Sequence, residues 1–376
     1  MKSFLLSKVF RYTLPHAAPE NKELIHIPYW RFKGMLFSCI SSGIKNRIVD
    51  VSHQGVVSPY FPASLGLRSQ TLKLRFVSPE TQGRFVKPGL SYRETEQMIE
   101  ERFSAMLRET IFTQSFIGDA LSIIYAPFYV DNKLYDAVLN RPVSPELPED
   151  FDASILEGGP SNWRIKFIPA MCPDCGWDLE GERDSLALDC RNCNSVWQSG
   201  KDGFMKLKFG HMASNSEQVR FLPFWRIKAN ISGIELDSYA DLVQVANLPK
   251  VVQDQWKDVA FRFWVPAFKV RPEDFLRFGR NMTLSQPQPD WVSNLPNGNL
   301  HPVTLPIHEA VESLKTTLAS FIKPPGIMYP KLPEIDIKGT GFFLAYIPFN
   351  EKGSELTQPD FRLRINKTLL AYGRHL

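Results

Sequence analysis

The chain has 376 residues, of which 43% are hydrophobic and 22% charged, a balance typical of globular proteins. This length is enough for two domains of ordinary size together with a small additional module. No apolar run approaches the roughly 20 residues that cross a bilayer, so we expect no transmembrane helix. Residues 1–10 are not followed by a small-residue cleavage site, so we also expect no signal peptide.

The net charge is only +4, but it is distributed unevenly. Residues 1–90 hold thirteen Lys and Arg against four acidic residues, whereas residues 131–160 hold seven acidic residues against two basic ones. Residues 172–200 are also acidic, with six Asp and Glu against two Arg. The basic N-terminal region could attract nucleic acid, anionic lipid or an acidic protein. The interpretation we favour is that it faces the acidic segments of this chain or of a second copy.

The first predicted elements are strands around the motif Ile-Pro-Tyr-Trp-Arg-Phe-Lys at 27–33. A helix is expected from Ser91, which forms a capping-box pattern with Glu94. Two strands should follow it, one closing on Pro-Phe at 123–128 and one reaching Asn140 from residue 134. The helix has an apolar stripe at helical spacing, formed by Ile99, Phe103, Met106, Leu107 and Ile111.

The middle of the chain contains two Cys-x-x-Cys pairs separated by fourteen residues, Cys172 with Cys175 and Cys190 with Cys193. Two such turns joined by a hairpin bring four thiolates together as a tetrahedral site, which suits Zn²⁺. Gly176 follows the first pair, where the backbone often needs a positive φ. Four sulfur ligands leave no open coordination position, so this metal should be structural and should not activate water.

Residues 165–200 resemble the zinc-ribbon superfamily, and the resemblance carries over the four cysteines as metal ligands and nothing more. The rubredoxin pattern is similar, which makes iron the rival metal, but the second pair lacks the Pro and Gly usual in rubredoxins. The same spacing would also permit disulfides, or four thiols without a metal. A four-cysteine metal site with one additional thiol, Cys39, fits a reducing, cytoplasmic location.

The second half of the chain repeats landmarks of the first half. Residues 222–228 read Leu-Pro-Phe-Trp-Arg-Ile-Lys, which matches the motif at 27–33. A second helix is expected from about residue 304, with Pro306 in its first turn and an end at Pro324-Pro325. The further proposed correspondences are 61–63 with 265–267, 72–76 with 275–278, 123–128 with 343–349, and 134–140 with 361–366. Repeat two should contain one extra helix, at 239–246.

These patterns predict an α+β fold made of two homologous domains, each an antiparallel sheet with one long helix, on either side of a zinc ribbon. The expected boundaries are 1–145 for the first repeat, 146–205 for the linker and ribbon, and 206–376 for the second repeat. Residues 141–162, 284–303 and 324–334 are predicted as loops.

The familiar catalytic and nucleotide-binding motifs are absent from the sequence. The seven histidines are scattered, and His301 and His308 do not have a ligand spacing. We interpret His26 and His211 as strand or surface residues, and Cys39 as a buried structural thiol without a cationic neighbour. The Trp-Arg pairs, Trp30-Arg31 and Trp225-Arg226, could form exposed platforms for a ligand, but strand alternation favours a buried Trp with an outward Arg.

The sequence therefore favours a non-enzymatic zinc-binding scaffold or adaptor that assembles with a protein partner or with further copies of itself. A nucleic-acid-binding protein that uses the basic N-terminal region is a second hypothesis. An enzyme with an unrecognised site between the repeats is a third. Peripheral membrane contact through the N-terminal region is also open.

Overall fold

The computed structural model describes residues 3–5, 10–105, 109–118, 122–143, 146, 157–159, 167–200 and 203–374. Within them the fold is a mixture of β-sheets and helices, as expected for the α+β class. None of the described helices combines the length and the apolar character that crossing a membrane requires. The predicted stripe residues Met106 and Leu107 lie outside the described residues.

Twelve strands precede the cysteine pairs in the described parts of the chain. They are β1 (Ser3–Leu5), β2 (Phe10–Thr13), β3 (Ile25–Ile40), β4 (Gly43–Gln54), β5 (Arg75–Phe76), β6 (Arg84–Val86), β7 (Ile111–Ile117), β8 (Ser122–Val130), β9 (Leu134–Asp136), β10 (Arg141–Pro142), β11 (Gly158–Gly159) and β12 (Phe167–Pro169).

The later described strands begin at the second cysteine pair. They are β13 (Ala187–Cys190), β14 (Ser195–Gly200), β15 (Gly203–Leu207), β16 (Phe209–Met212), β17 (Val219–Ser232), β18 (Phe263–Pro266), β19 (Trp291–Val292), β20 (Asn299–Leu300), β21 (Asp336–Lys352), β22 (Glu355–Gln358) and β23 (Leu363–Asn366).

The helices are concentrated in the second half of the chain. They are α1 (Arg68–Thr71), α2 (Tyr92–Ser104), α3 (Tyr239–Val245), α4 (Pro272–Ser285), α5 (Ile307–Glu312), α6 (Leu314–Phe321), α7 (Pro325–Met328) and α8 (Lys367–Gly373), with short 3₁₀ turns at Asp254–Trp256, Tyr329–Glu334 and Pro359–Phe361. The capping box of α2 is present: the Ser91 hydroxyl accepts from the Glu94 N–H, and the Glu94 carboxylate accepts from the Ser91 N–H.

Most strands belong to two large sheets, which we call the first sheet and the second sheet. The first sheet has the order β10-β9-β8-β3-β6-β11, with β2, β4, β5 and β7 joined beside this path. The second sheet has the order β18-β17-β21-β16-β19, with β20, β22 and β23 joined beside it. Strands β13, β14 and β15 form a separate three-stranded sheet, and β1 pairs with β12.

The central strand pair of each sheet has the same register around the repeated motif. In the first sheet β3 runs antiparallel to β8, with Pro28 opposite Tyr125 and Trp30 opposite Ile123. In the second sheet β17 runs antiparallel to β21, with Pro223 opposite Tyr346 and Trp225 opposite Leu344. Both tyrosines stand two residues before the proline of the Pro-Phe pair that the two halves share.

The neighbouring strands also occupy matching positions. A parallel strand flanks the same part of β8 and β21, namely β2 in one sheet and β16 in the other. Both sheets are therefore mixed, and the prediction of purely antiparallel sheets is wrong. A second short parallel strand flanks the start of the motif strand, β6 beside β3 and β20 beside β17. Beyond the Pro-Phe pair, β9 and β22 each pair antiparallel with the end of the long strand.

The chain enters α2 and α5 through the same hydrogen bonds. The indole N–H of Trp30 donates to the carbonyl of Leu90 at 2.9 Å, and that of Trp225 donates to the carbonyl of Leu305 at 2.9 Å. Each leucine immediately precedes the N-cap residue of its helix, Ser91 or Pro306. A buried Trp thus fixes where each helix begins.

Several details of the predicted correspondence are wrong. The Ala267 N–H donates to the carbonyl of Pro223, and it is Gly55, not a residue in 61–63, that makes the same bond to Pro28. Residues 275–278 lie in α4, a helix that the sequence patterns did not predict, whereas 75–76 form β5. Ile111 begins β7 and does not extend α2. The strands β10, β11, β19 and β20 and the helix α7 occupy segments that were predicted as loops.

The helix at 239–246 is confirmed as α3, with Ala246 as its C-cap. The helix expected from Pro306 is present as two consecutive helices, α5 and α6, which meet at Ser313. Asn140 has a left-handed φ of 50° and is a turn residue. Asn366 instead caps α8, because its side chain accepts from the Thr368 N–H.

The largest hydrophobic core joins the second sheet to part of the first. It contains Met35, Phe37 and Cys39 from the end of β3 together with Ile117 of β7. These residues pack against the layer that includes α4, where the rings of Phe37 and Phe275 lie 6.0 Å apart. Among the described residues, three smaller core clusters lie within the first sheet, and one lies beneath the cysteine pairs.

Candidate metal centre

The four cysteines lie together in one cluster. The four Sγ atoms all lie within 4.8 Å of one another; they belong to Cys172, Cys175, Cys190 and Cys193. The first pair lies on a turn before β13, and the second lies on the hairpin turn between β13 and β14, where Cys190 pairs with Ser195. The hairpin therefore carries one Cys-x-x-Cys turn to the other, as the spacing predicts.

The two turns share a left-handed residue at the same position. The residue after the second cysteine has a left-handed φ in both, 72° at Gly176 and 51° at Asn194. Glycine adopts this conformation without a steric penalty, and asparagine is among the few other residues that tolerate it. The first turn is closed by the Gly176 N–H, which donates to the Cys172 carbonyl at 2.8 Å.

Backbone N–H groups point at the first sulfur of each pair. Burial raises the pKa of Cys172, but donors from Cys175, Asp174 and the Ser195 hydroxyl outweigh this effect and bring the pKa to about 6. Cys190 also accepts from the backbone of its turn, yet burial holds the pKa of this thiol at about 12. Binding a metal ion would require deprotonation of such thiols, so affinity should depend on pH.

Ser195 is a polar residue beside the sulfurs that the sequence patterns did not indicate. Its Oγ is 3.0 Å from the Cys193 sulfur and 3.7 Å from the Cys172 sulfur, and the residue is buried. The indole N–H of Trp197 donates to the same Oγ at 2.8 Å. Because Trp197 uses the oxygen as an acceptor, the hydroxyl proton is available to a thiolate. No motif in the sequence could have indicated this arrangement.

The sulfur geometry fits a tetrahedral metal ion. Sulfurs at a Zn–S distance of roughly 2.3 Å form a tetrahedron with edges of about 3.8 Å. The sulfurs of Cys172 and Cys193 are 3.5 Å apart, as are those of Cys175 and Cys190. All four cysteines are free thiols, so the disulfide hypothesis is wrong for this structure.

The cysteine module, which we define as residues 170–207, is bonded to the part of the chain that carries the second sheet. The Asn194 side chain accepts from the Leu295 N–H at 3.2 Å, and Arg191 donates to the Pro296 carbonyl at 3.0 Å. The Leu186 N–H donates to the Val303 carbonyl at 2.7 Å. The second turn of the site is thus fixed by a loop of another part of the molecule.

The histidines are dispersed across the fold. His26 is buried in β3, where burial lowers its pKa to about 4, and its ring stacks on Phe85 at 4.2 Å. His211 lies in β16 with Nδ1 2.9 Å from the Asn294 carbonyl oxygen. Burial likewise lowers the pKa of His301 to about 3. Among the described residues, the cysteine group is the only cluster of three or more His, Cys, Asp or Glu with metal-binding geometry.

Cys39 and the two motif tryptophans are core residues. Cys39 is buried in β3, and burial raises its pKa to about 12, which makes the thiol unreactive. Trp30 and Trp225 are 9% and 1% exposed, so neither forms an exposed platform. Arg31 does not face water freely: it donates to both oxygens of Asp50, at 2.8 and 2.7 Å.

Part of the basic N-terminal region pairs with acidic residues of the segment that begins at residue 131. Lys22 lies 2.6 Å from Asp131, and Arg68 forms an ion pair with Asp136. Lys87 lies 3.5 Å from Glu157. These pairs agree with the interpretation in which the two charged segments face each other within one chain.

The comparisons with known proteins give no relative from which residue roles could be transferred. No protein-family model matches the chain. No curated protein and no solved structure matches it. The metal centre therefore depends on the positions and chemistry of the four cysteines themselves.

Proposed function

We propose that Cys172, Cys175, Cys190 and Cys193 hold a structural Zn²⁺ ion in a zinc ribbon. Support comes from the four sulfurs within 4.8 Å of one another, the N–H donors at Cys172 and Cys190, and Asn194 in place of the glycine usual in rubredoxins. The ion would cross-link the two Cys-x-x-Cys turns and would have no free position for water. A reduced four-thiol site also favours the cytoplasm.

We infer that the α+β parts at 1–145 and 206–376 are homologous repeats, separated by a linker and the ribbon at 146–205. Support comes from the shared register of the motif strands and from the shared Trp bond at the start of α2 and α5. Such a fused pair resembles a symmetric dimer and can offer two related surfaces to one partner.

On this basis the protein is a non-enzymatic scaffold or adaptor, and the cysteine module is a docking element for a protein partner. The observation that carries this proposal is the exposed apolar surface of a module whose sulfur site is closed to catalysis. Trp177 is 58% exposed and Met205 is 54% exposed, although large apolar side chains are usually buried in so small a fold. Aromatic and Met side chains are enriched where proteins bind one another.

The test compares two tagged variants expressed in the native cells. In Trp177→Ser/Met205→Ser the two most exposed large apolar side chains of the module are removed, whereas Val251→Ser changes a residue that is 88% exposed elsewhere. We expect the wild type and Val251→Ser to purify with the same stoichiometric protein partner and the double variant to lose it. Equal recovery with all three proteins, or a monomer without a partner, would contradict the proposal.

Nucleic-acid binding through the basic N-terminal region remains the second candidate. The ion pairs of Lys22 and Arg68 with acidic residues reduce the charge available for phosphates. A salt-dependent gel shift would favour this candidate, because each neutralised phosphate contributes about one unit to the logarithmic salt slope.

A further inference from the structure

The two sheets differ at one charged position beside the repeated Arg. In the first sheet Arg31 stands opposite Ser52, and Asp50 stands two residues before Ser52 on the same face. Arg31 donates to both carboxylate oxygens of Asp50, and Lys33 stands directly opposite Asp50 in the ladder. The three side chains therefore form an Arg–Asp–Lys group in which an acid lies between two cations.

The matching positions of the second sheet hold three cations. Arg226 stands opposite Trp264, and Arg262 stands two residues before Trp264, which is the position of Asp50 in the first sheet. Lys228 follows Arg226 as Lys33 follows Arg31. Within the described residues, none of Arg226, Lys228 and Arg262 forms an ion pair with an acidic side chain.

Arg226 is half-buried, so water compensates its charge only in part. Burial lowers the pKa of this guanidinium, and the neighbouring charge of Arg262 lowers it further. Two half-buried guanidiniums without an acid are unfavourable in isolation, since each removes hydration from the other and adds repulsion. An anion between them would remove this penalty.

Aromatic rings border Arg226 on both sides. Trp264 is its neighbour on β18 and Phe343 is its neighbour on β21. Trp291 connects them, with ring-centre distances of 6.1 Å to Trp264 and 5.1 Å to Phe343. Because Trp264 and Trp291 belong to the first and last strands of the sheet order, their contact requires the sheet to curl around this face.

The same face contains another unused donor. Trp264 is fully buried, and its indole N–H has no acceptor among the described residues. Buried N–H groups without a partner are rare in folded proteins and require an explanation. A bound oxyanion would supply an acceptor on this face.

The backbone of Arg262 is held by two hydrogen bonds to the side chain of Gln286. The amide side chain of Gln286 accepts from the Arg262 N–H at 3.0 Å and donates to the Arg262 carbonyl at 2.6 Å. Gln286 is itself buried and has a left-handed φ of 43°. Arg262 also donates from Nη1 to the Phe261 carbonyl at 2.6 Å, which leaves the other guanidinium N–H groups for a ligand.

We propose that Arg226 and Arg262, with Lys228 at the rim, form a binding site for an oxyanion of the phosphate class. Two guanidinium forks match the oxygen edges of a tetrahedral phosphate, and the surrounding aromatic rings reduce competition from water. The ligand is inorganic phosphate or the phosphate group of a small ester. This site lies outside the cysteine module and is independent of the scaffold proposal.

The test is calorimetric titration of the full-length, metal-loaded protein with inorganic phosphate and, separately, with glycerol phosphate. Ionic strength is kept constant with potassium chloride, so that a general salt effect is excluded. We expect saturable binding to the wild type, and tighter binding of the ester than of inorganic phosphate would identify an ester as the ligand. Binding should weaken roughly tenfold or more in Arg226→Gln, because charge-assisted hydrogen bonds are lost.

The decisive variant is Arg262→Asp, which recreates the acid of the first sheet. We expect it to fold, to melt no lower than the wild type without phosphate, and to bind phosphate no longer. Arg31→Gln is the matched control, because it changes the repeated Arg in the sheet that already has its acid, and phosphate affinity should stay unchanged. Absence of saturable binding to the wild type, or wild-type affinity in Arg226→Gln and Arg262→Asp, would overturn the proposal.

Discussion

The two sheets have one pattern of strand pairing and two different environments. The ends of β3 and β7 in the first sheet are covered, because Ser115 of β7 accepts from Thr316 of α6 at 3.1 Å and Phe37 contacts Phe275 of α4. The matching ends of β17 and β21 alternate between half-buried and exposed residues. The cysteine module, in turn, is bonded to the loops before α5 and not to the matching loops before α2 in the described structure.

This difference separates what the repeated motif determines from what it does not. The Pro-aromatic-Trp segment determines the central register and the helix start, since both depend on hydrogen bonds that this segment makes. The surroundings of each sheet depend on residues outside the motif. One example is the position held by Asp50 in the first sheet and by Arg262 in the second. Similar strand pairings therefore carry different surroundings, since one sheet end is covered by helices of the same chain and the other sheet is bonded to the cysteine module.

The largest expected effect comes from removing the metal. Cys172→Ser should lower the bound zinc from about one ion per chain to nearly none, because a four-thiolate site loses a buried ligand and apparent zinc binding contributes on the order of 10 kcal/mol to folding of such modules. Metal content measured by elemental analysis and hydrogen exchange measured by mass spectrometry would test this. Exchange should rise at residues 295–303, which contact the module, and remain unchanged at the matching residues 84–90.

Cys39→Ala is the control for this experiment, because it removes a buried thiol that lies far from the other four in sequence and in another core. It should retain the metal and lose stability only through the missing side-chain volume. If hydrogen exchange increased equally at residues 84–90 and 295–303 after metal removal, the module would stabilise both sheets alike. This result would contradict the difference between the two sheets.

Features that depend on residues close together in the sequence could be predicted, whereas features that depend on distant residues could not. The cysteine cluster, the capping box at Ser91 and the helix α3 were predictable because each is encoded within a few residues or by one hairpin. Helix α4 was missed although Pro272 begins it and Phe275, Phe278 and Met282 are buried at helical spacing, since the Phe-Leu-Arg-Phe segment was aligned with a strand-like stretch.

Long-range features were beyond the local pattern. The match of Gly55 to Ala267 is visible only from the hydrogen bonds to Pro28 and Pro223, because the loops that follow have different lengths and contents. The position of Ser195 beside the sulfurs could not be predicted from the sequence. It depends on the register of the hairpin and on the hydrogen bond from Trp197. The charge difference at Asp50 and Arg262 likewise depends on the ladder register.

The second expected effect concerns the two motif tryptophans. Trp225→Phe and Trp30→Phe should each lower the free energy of unfolding by roughly 2 kcal/mol, because each leaves a carbonyl without its donor and a small cavity in a packed core. Urea unfolding would measure both. Trp177→Phe, at an exposed position, should change stability by less than about 0.5 kcal/mol. A large loss in one motif variant with no loss in the other would mean that the shared bond does not stabilise the two sheets equally.

The smallest expected effect lies where the two matching helices approach each other. Glu100 of α2 is half-buried, and burial, followed by the charges of Glu96 and Glu312, raises its pKa to about 7 from an ordinary value of 4.5. Burial also raises the pKa of Glu96 and Glu312, and Arg93 partly opposes this in both. The folded state therefore retains a proton that the unfolded chain releases near pH 4.5.

The sign of the pH dependence follows from this difference. The stability contributed by protonated Glu100 is complete below pH 4.5 and is lost as the pH rises through about 7, so the wild type should be less stable at pH 8 than at pH 5 on this account. Glu100→Gln should remove that slope and raise stability at pH 8 by about 1 kcal/mol after solvent screening. Glu101→Gln changes an exposed neighbour on the same helix and should leave the slope intact. A different result would be that the free energy of unfolding of Glu100→Gln differs from that of the wild type by the same amount at pH 5 and at pH 8. That result would show that the carboxylates of α2 and α5 do not lie together in a partly buried contact. The two helices would then be similar only in the hydrogen bonds at their first residues.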